Sequence, residues 1–527
     1  MGRYADRATG GSRLIRPGSS QRQVFMVTLH SFLFALLPYA VLVSTNVGMV
    51  PVSATSITRS LAVIVGGNIV LLAALSLWRP LKAASMTLSW LYILLTLYPL
   101  LSRLMTPLFP RLPEVVWAVP HAAAAVAAAV WLGRPRSGSD SRYKSLNVAG
   151  LVVIGGNLAM TAVSVSAQPD DRWRAVVASL VASGPAPAAV PEQRPDIYYI
   201  ILDGLGRPDV LSRVYGLDVS RELQQLREGG WTVATASRSN YSQTYLSLAS
   251  ALNGAYLDPL GSAMGDTGNR RPLQEMIQSS GPIRALKQAG YRFHMIGSHT
   301  SVTADHRMAD TCDCRRPGLS EFENGLLWST WFRVLPLYDS TYGSHYRSIV
   351  EAFDRMEAEP RGAPTVVLTH VLAPHPPFVV DGTGQPVMAL GPVVYNEGED
   401  YPGTVEEYRQ GYRAQARFII RRLVAFARTV NARRRPAVVV VHGDHGPGSS
   451  YSHTSLARTD VSERFPIFMA MRLGSGAAAQ MPNDLSPVNV FRVVFNARFG
   501  ATYALLPNRS YYATWRKPYR FSEVRVP

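Results

Sequence analysis

The sequence predicts a two-part protein: five membrane-spanning helices, followed by an α/β domain built on a central mixed sheet. Three observations carry this. Long charge-free stretches crowd the first third of the chain, basic residues favour alternate loops between them, and beyond residue 195 short apolar runs alternate with helical periodicity. The chain has 527 residues, 47% hydrophobic and only 17% charged, where a soluble domain carries roughly a quarter charged residues.

Stretches without Asp, Glu, Lys or Arg run over 23–58, 60–78, 83–102, 115–133 and 145–169. A hydrocarbon core about 30 Å thick takes roughly 20 apolar helical residues. The expected spans are therefore 24–45, 58–78, 84–105, 114–133 and 146–167, behind a basic cytoplasmic tail at 1–23 and within a membrane domain at 24–168. Of the net charge of +17, most arises early, because 14 of the 53 Lys and Arg but only 3 of the 36 Asp and Glu precede residue 169. One set of loops holds eleven basic residues: Arg3, Arg7, Arg13, Arg16, Arg22, Arg79, Lys82, Arg134, Arg136, Arg142 and Lys144. The other set holds Arg59, Arg103 and Arg111. Basic loops stay in the cytoplasm, so the amino terminus is expected there, and an odd number of spans puts everything after residue 168 outside. Basic residues set between apolar helices also argue against a nucleic-acid partner, which needs them along one polar face. The first apolar stretch is too long for a cleavable leader, and four more follow it.

Residues 169–195 read as a juxtamembrane connector. Arg172, Trp173 and Arg174 suit a membrane interface, and the Pro/Ala run from Gly184 to Pro195 makes a semi-rigid spacer. Residues 196–527 are ample for one large domain. Buried strands are expected at Ile197 to Leu202, Tyr291 to Ile296, Thr365 to Leu368, Ala437 to Val441 and Pro466 to Met471, with helices such as Leu273 to Ala289 and Val405 to Val430 between them. The only cysteines, Cys312 and Cys314, lie in this outer part and read as a loop disulfide.

In such sheets chemistry gathers beyond the carboxyl ends of the strands. The first strand ends in Asp203-Gly204, on its own the pattern of a plain turn as often as of a site. The Ala437 strand ends in His442-Gly443-Asp444-His445-Gly446, where carboxylate oxygen beside imidazole is the ligand mixture that zinc or manganese takes. The Thr365 strand runs into His370 and His375, which flanking prolines keep off a helix, and His453 follows the glycine-rich turn. Around Ser242 and Thr244, hydroxyl residues gather where Leu248 and Leu252 set up helical spacing. By residue type alone they read as a helix cap, yet a hydroxyl at a helix amino terminus is also placed for nucleophilic attack on phosphate.

Taken in order, the Asp203-Gly204 strand end, the Ser/Thr-rich helix start, the Pro-flanked histidines and the Asp444-His445-Gly446 turn resemble the motifs of the alkaline phosphatase and sulfatase superfamily. With five spans ahead of them, the layout is similar to that of membrane-anchored phosphoryl-alcohol transferases, the lipoteichoic acid synthases and the phosphoethanolamine transferases. The resemblance implies an alkaline-phosphatase-like (sulfatase-like) fold and a divalent ion, Zn or Mn, held by Asp203, Thr244, Asp444 and His445, with Thr244 the nucleophile. It implies that His370 and His375 act in catalysis and that His453 binds substrate, serving the donor phosphate or a second ion. Arg207 and Asn240, near Asp203 and Thr244, are expected to hold phosphate, with a loop salt bridge or a turn bond as the equal alternative.

The implied reaction carries a phosphoglycerol or phosphoethanolamine head group from a membrane phospholipid donor, through a phospho-Thr244 ester, to an envelope glycan or lipid acceptor. It places the catalytic domain on the periplasmic face of a bacterial inner membrane. True sulfatases start from a Cys or Ser in a Cys/Ser-x-Pro-x-Arg stretch, which is absent around Thr244 and around both cysteines, so sulfate-ester hydrolysis is disfavoured. A hydrolase of the same fold and an inactive assembly scaffold are the alternatives. A transporter is disfavoured, because the spans contain almost no ionisable residue beyond His30 and His121.

Overall fold

The computed structural model describes residues 19–526 apart from 47, 50–53, 110–111, 113, 136–138, 167–170, 315–317, 336–341, 359–361, 388–392, 394 and 475–480. Contacts divide the chain into two units. One comprises Met1–Leu42, Thr58–Met160 and Ser329–Trp331; the other comprises Val43–Ile57, Thr161–Trp328 and Phe332–Pro527.

In the first unit, four helices are long and apolar enough to cross a membrane: Thr55–Ser76, Leu81–Met105, Val115–Leu132 and Ser141–Ser166. A fifth span exists only as a bent pair, Gln21–Ala35 and Leu37–Asn46, meeting at 47°. The straight helix expected at 24–45 is broken because Pro38 has no N–H for the Phe34 carbonyl and its ring crowds that oxygen. The expected basic tail at 1–23 lies outside the described residues up to residue 18, and from Ser19 on it is already helical. Polar side chains in this unit bond across helices, as Ser85 Oγ does to the Val27 carbonyl at 2.5 Å and Asn147 Nδ2 to the Met26 carbonyl at 2.7 Å.

The second unit carries a seven-stranded mixed sheet. Its strands are β1 (Asp196–Leu202), β2 (Thr232–Val233), β3 (Arg292–Ile296), β4 (Thr311–Asp313), β5 (Thr365–Val371), β6 (Ala437–His442) and β7 (Met469–Arg472), in the spatial order β2-β7-β6-β1-β5-β3-β4. β1 pairs in parallel with both β5 and β6, and β7 runs antiparallel to β6 and β2. The central strands read as unbroken apolar runs because both faces are covered. Ile197, Tyr199 and Ile201 enter one core while Tyr198, Ile200 and Leu202 enter the other.

Helix Val405–Asn431 covers one face and opens on a capping box, in which Thr404 and Glu407 each bond the other's backbone N–H. Helix Thr244–Asn253 lies on the other face. The single helix expected over Leu273 to Ala289 is two, Arg271–Gln278 and Gly281–Gln288, because Ser280 caps the second through its side chain and Pro282 lies in its first turn. β7 starts three residues later than expected, since Pro466 and Ile467 form isolated bridges to Arg238 and Gly206 instead.

The connector also differs from expectation. Residues Arg172–Ala182 are helical, and Trp173, Val177, Leu180 and Val181 are buried in the core of the second unit rather than held at an interface. The loop between the first two spans belongs to this unit too, where the Gly48 carbonyl accepts from the Arg270 backbone N–H at 2.7 Å. Cys312 and Cys314 are joined in a disulfide.

One buried histidine of this core predicts an acid response. The His306 ring lies edge-on to Phe293, accepts from the Met308 N–H at Nδ1 and donates from Nε2 to the Ile277 carbonyl. Burial lowers its pKa from 6.5 to about 4. The unfolded chain therefore takes up a proton below pH 6.5 that the folded chain refuses until about pH 4, and the neutral ring loses about 3 kcal/mol of its contribution across that window. His306→Gln should lower the unfolding temperature clearly at pH 7.5 and by much less at pH 4.5.

Candidate metal centre and nucleophile

Parallel pairing sets the frame. Ile201 of β1 lies opposite His442 of β6, so the residues just beyond, Asp203 and Asp444, emerge at the same end of the sheet. The turn that carries Asp444 leaves no room for side chains at its glycines. A Cβ on Gly443 would sit 2.4 Å from the Leu205 carbonyl, and one on Gly446 would sit 2.3 Å from the Glu463 carbonyl.

Asp444 Oδ1 accepts from the Gly204 N–H at 3.0 Å, and the Asp444 carbonyl accepts from Ser239 Oγ and Ser247 Oγ, both at 2.5 Å. Two oxygens remain without any hydrogen-bond donor although buried, Asp203 Oδ1 and Asp444 Oδ2. His445 Nε2 lies 3.6 Å from the first and 3.4 Å from the second. The Nδ1 of His445 is held by the Gly446 carbonyl at 2.9 Å, so Nε2 presents its lone pair to the same point. Among the described residues, Asp203, Asp444 and His445 form the one group whose ligand atoms all lie within 4.8 Å of one another. Buried carboxylate oxygens that receive no proton donor, set against an imidazole lone pair, fit a divalent cation.

Thr244 is the first residue of its helix, after Gln243 as N-cap. Its hydroxyl is not spent on capping and lies 3.1 Å from His445 Nε2, half-buried at the edge of the cluster. Gln243 makes no cap bond either; its amide donates to the Ala513 carbonyl. The segment makes no side-chain cap bond, and the Thr244 hydroxyl meets His445 on a helix amino terminus that favours negative charge.

The histidines separate by role. His370 Nε2 is 3.2 Å from Asp203 Oδ2 and makes no hydrogen bond among the described residues, while its Nδ1 meets Thr303 Oγ1 at 2.8 Å. His375 is tied through Nδ1 to the Pro376 carbonyl at 2.6 Å, and its Nε2 is 3.6 Å from Glu397 Oε2. Burial pushes the His375 imidazole down, but the Asp203 and Glu397 carboxylates outweigh it and carry it up to about 9. Burial likewise raises the Asp203 carboxyl, and the neighbouring His375, His370 and His445 more than reverse this, holding it well below the carboxylate range. His453 stands farther out, edge-on to Tyr451 and Trp515, with Nε2 3.9 Å from Asp400 Oδ2. His442, by contrast, bonds the Tyr199 hydroxyl and the Gly443 carbonyl in the core, and burial lowers its pKa to about 4.

Two expected phosphate holders are engaged elsewhere. The Arg207 guanidinium forks onto Asp209 at 2.6 and 2.9 Å, the loop salt bridge. The Asn240 amide donates to the Arg509 carbonyl and the Tyr256 hydroxyl and accepts from the Val488 N–H, so it is a bridge between loops.

Sequence reasoning missed Glu397 and Arg464. Both are almost fully buried, and they form a bidentate pair at 2.7 and 2.8 Å. Arg464 also donates to the Ser242 carbonyl, two residues before Thr244, and to the Gly446 carbonyl, next to His445, while its guanidinium lies 3.9 Å from the centre of the Tyr451 ring. One cation therefore ties the nucleophile loop to the ligand turn. Burial raises the Glu397 carboxyl, and the charges of Arg464 and His375 overcome that and hold it well below the usual range. Neither residue sits in a motif, and no local spacing links positions 67 residues apart.

Fold and site together define an α/β enzyme domain in which a buried group of two carboxylates and an imidazole could hold a divalent ion. The family model described as Sulfatase matches residues 195–496, more than half of the chain, and the protein belongs to that family. No curated protein matches the sequence. Among solved structures, the chain is similar to the C-terminal periplasmic domain of EcEptC from Escherichia coli, at 13% identity over 64% of this chain and 95% of that one, with a TM-score of 0.40. It is also similar to the integral membrane lipooligosaccharide phosphoethanolamine transferase A from Neisseria meningitidis, at 12% identity over 90% and 95% of the two chains, with a TM-score of 0.37. A Bacteroides thetaiotaomicron protein from a locus that metabolises glycosaminoglycans matches at 13% identity over 61% and 80%, with a TM-score of 0.37.

Arg464→Ala leaves Glu397 buried without its partner and should destabilise the second unit by about 3–5 kcal/mol. In denaturant unfolding of the full chain, the double substitution Glu397→Gln with Arg464→Met should recover much of that loss.

Proposed function

We propose that the protein is a metal-dependent transferase that moves a phospho-alcohol head group from a membrane phospholipid to a cell-envelope glycan or lipid. The observation that carries this is the Thr244 hydroxyl, free of any capping role and 3.1 Å from His445 Nε2, beside the two carboxylate oxygens that receive no hydrogen bond. Asp203, Asp444, His445 and Thr244 would hold the ion, Zn or Mn. Bound there, it supplies positive charge that lowers the pKa of the hydroxyl and neutralises phosphoryl oxygens.

In the first half-reaction Thr244 Oγ bonds to phosphorus and the bond from phosphorus to the diacylglycerol oxygen breaks, leaving a phospho-Thr244 ester. The departing oxygen takes up a proton, a transfer we assign to His375, whose Nδ1 is tied back so that Nε2 faces Glu397. In the second, an acceptor hydroxyl or amine bonds to the same phosphorus and gives its proton back to His375, the bond from phosphorus to Thr244 Oγ breaks, and that oxygen regains from solvent the proton it released there in the first step. His370 keeps Asp203 oriented throughout, and His453 with Trp515 walls the substrate side. Apolar helices in the same chain suit a donor that resides in the bilayer, and we place the amino terminus in the cytoplasm and the second unit in the periplasm from the loop charges. A Thr in place of the Cys or Ser that true sulfatases modify supports phosphoryl over sulfuryl chemistry.

Incubation with head-group-labelled phosphatidylglycerol and phosphatidylethanolamine should yield diacylglycerol and a labelled envelope fraction. Label appearing only as free head group would assign the chemistry to hydrolysis. Thr244→Ala should lower turnover at least about a thousandfold with an unchanged unfolding curve; near wild-type turnover in that variant rules out the assignment. Asp444→Asn should cost most of the tightly bound ion, read by metal analysis of the purified chain, and chelation of the wild type should abolish turnover until Zn or Mn is returned.

A further inference from the structure

Helix Val405–Asn431 carries Arg409, Arg413, Arg417 and Arg421 at successive i+4 positions, which places them in one row about 6 Å apart and about 18 Å from end to end. Like charges at this spacing oppose the helix. None of the four is in an ion pair among the described residues, whereas Arg422 on the same helix pairs with Asp354 at 2.5 Å and with Glu357 at 3.8 Å. Arg413 and Arg421 are exposed, and Arg409 and Arg417 are half-buried. Their polar contacts are few: Arg421 donates to the Gly382 carbonyl, and Arg409 reaches Ser449 Oγ at 3.5 Å. Arg417 packs its stem on Gly382, and the adjoining acid, Asp381, spends Oδ1 on the amides of its own turn.

We propose that this row is a docking track for an anionic glycan, one bearing carboxylates or phosphodiesters along its length. Three features point to that partner. The row is one side chain wide and winds about 120° round the helix over about 18 Å, which fits a chain that can follow it and not a plane. The only exposed large apolar residue on the helix is Val405, so the face lacks the hydrophobic half that seats a helix in a bilayer. Its Arg409 end meets Ser449, five residues beyond Asp444 in the same glycine-rich turn, so the track leads to the metal centre. This names the acceptor class of the proposed transferase and rests on that reading.

The test uses the full chain in neutral phosphatidylcholine nanodiscs, with binding of fluorescein-labelled oligogalacturonate followed by anisotropy at low and at physiological salt. Arg413→Glu with Arg417→Glu should weaken binding by about tenfold or more at low salt, and the loss should shrink as salt rises. Arg271→Glu with Arg284→Glu changes the net charge equally on helices that pack against the other face of the sheet and should leave affinity within about twofold. Equal losses in the two double variants, or none in the first, overturn the track. So does a first variant that keeps its glycan affinity and loses only binding to phosphatidylglycerol vesicles. Thr244→Ala should bind the oligosaccharide as the wild type does while failing in turnover, so survival of turnover there refutes the transfer reading separately from the glycan binding.

Discussion

Two buried carboxylates brought to the same end of a sheet repel each other unless something positive lies between them, and that constraint organises the second unit. Asp203 and Asp444 are fixed by the parallel pairing of β1 and β6, the two most apolar strands, whose ends are the first places where polar groups are tolerated. Each carboxylate has one oxygen occupied within the protein, by His370 or by the Gly204 amide. Each has another that receives nothing. The surrounding hydrogen bonds serve that pair. Ser239 and Ser247 grip the Asp444 carbonyl, and the Tyr412 hydroxyl bridges the Gly204 carbonyl and the Gly206 amide. A buried polar network of this kind is rigid only when its other members are satisfied.

How much of this was legible in the sequence depended on how local the signal was. β1, β3, β5 and β6 appeared as apolar runs because both sheet faces are covered, and their ends gave Asp203, His370 and the Asp444-His445 turn directly. Helix breaks were read less well. Ser280 and Pro38 act through one cap bond and one missing N–H, signals easily lost inside a long apolar periodicity. Arg207 and Asn240 look like phosphate holders by proximity in sequence, yet their partners are Asp209 and the Arg509 and Val488 backbone. Glu397 and Arg464 carry no motif, and their importance exists only after the chain closes on itself.

Charge tells a similar story at larger scale. The overall surplus of positive charge divides between the loops of the apolar helices and an uneven coat on the second unit. On helix Val405–Asn431, the inner side holds Tyr408, Tyr412 and Gln415 against the turns of the metal centre while arginines line another side. One element thus supports the site from behind and sets the electrostatic character of the surface leading to it.

The spatial order of the sheet has a consequence for biosynthesis. β6 and β7 come late in the chain but sit between β1 and β2, which come early. A nascent chain that has emerged only as far as residue 436 already displays Asp203 and Thr244, but its central strand has an unpaired edge and the second carboxylate has not yet been made. The group of Asp203, Asp444 and His445 therefore comes together only when the sheet is complete.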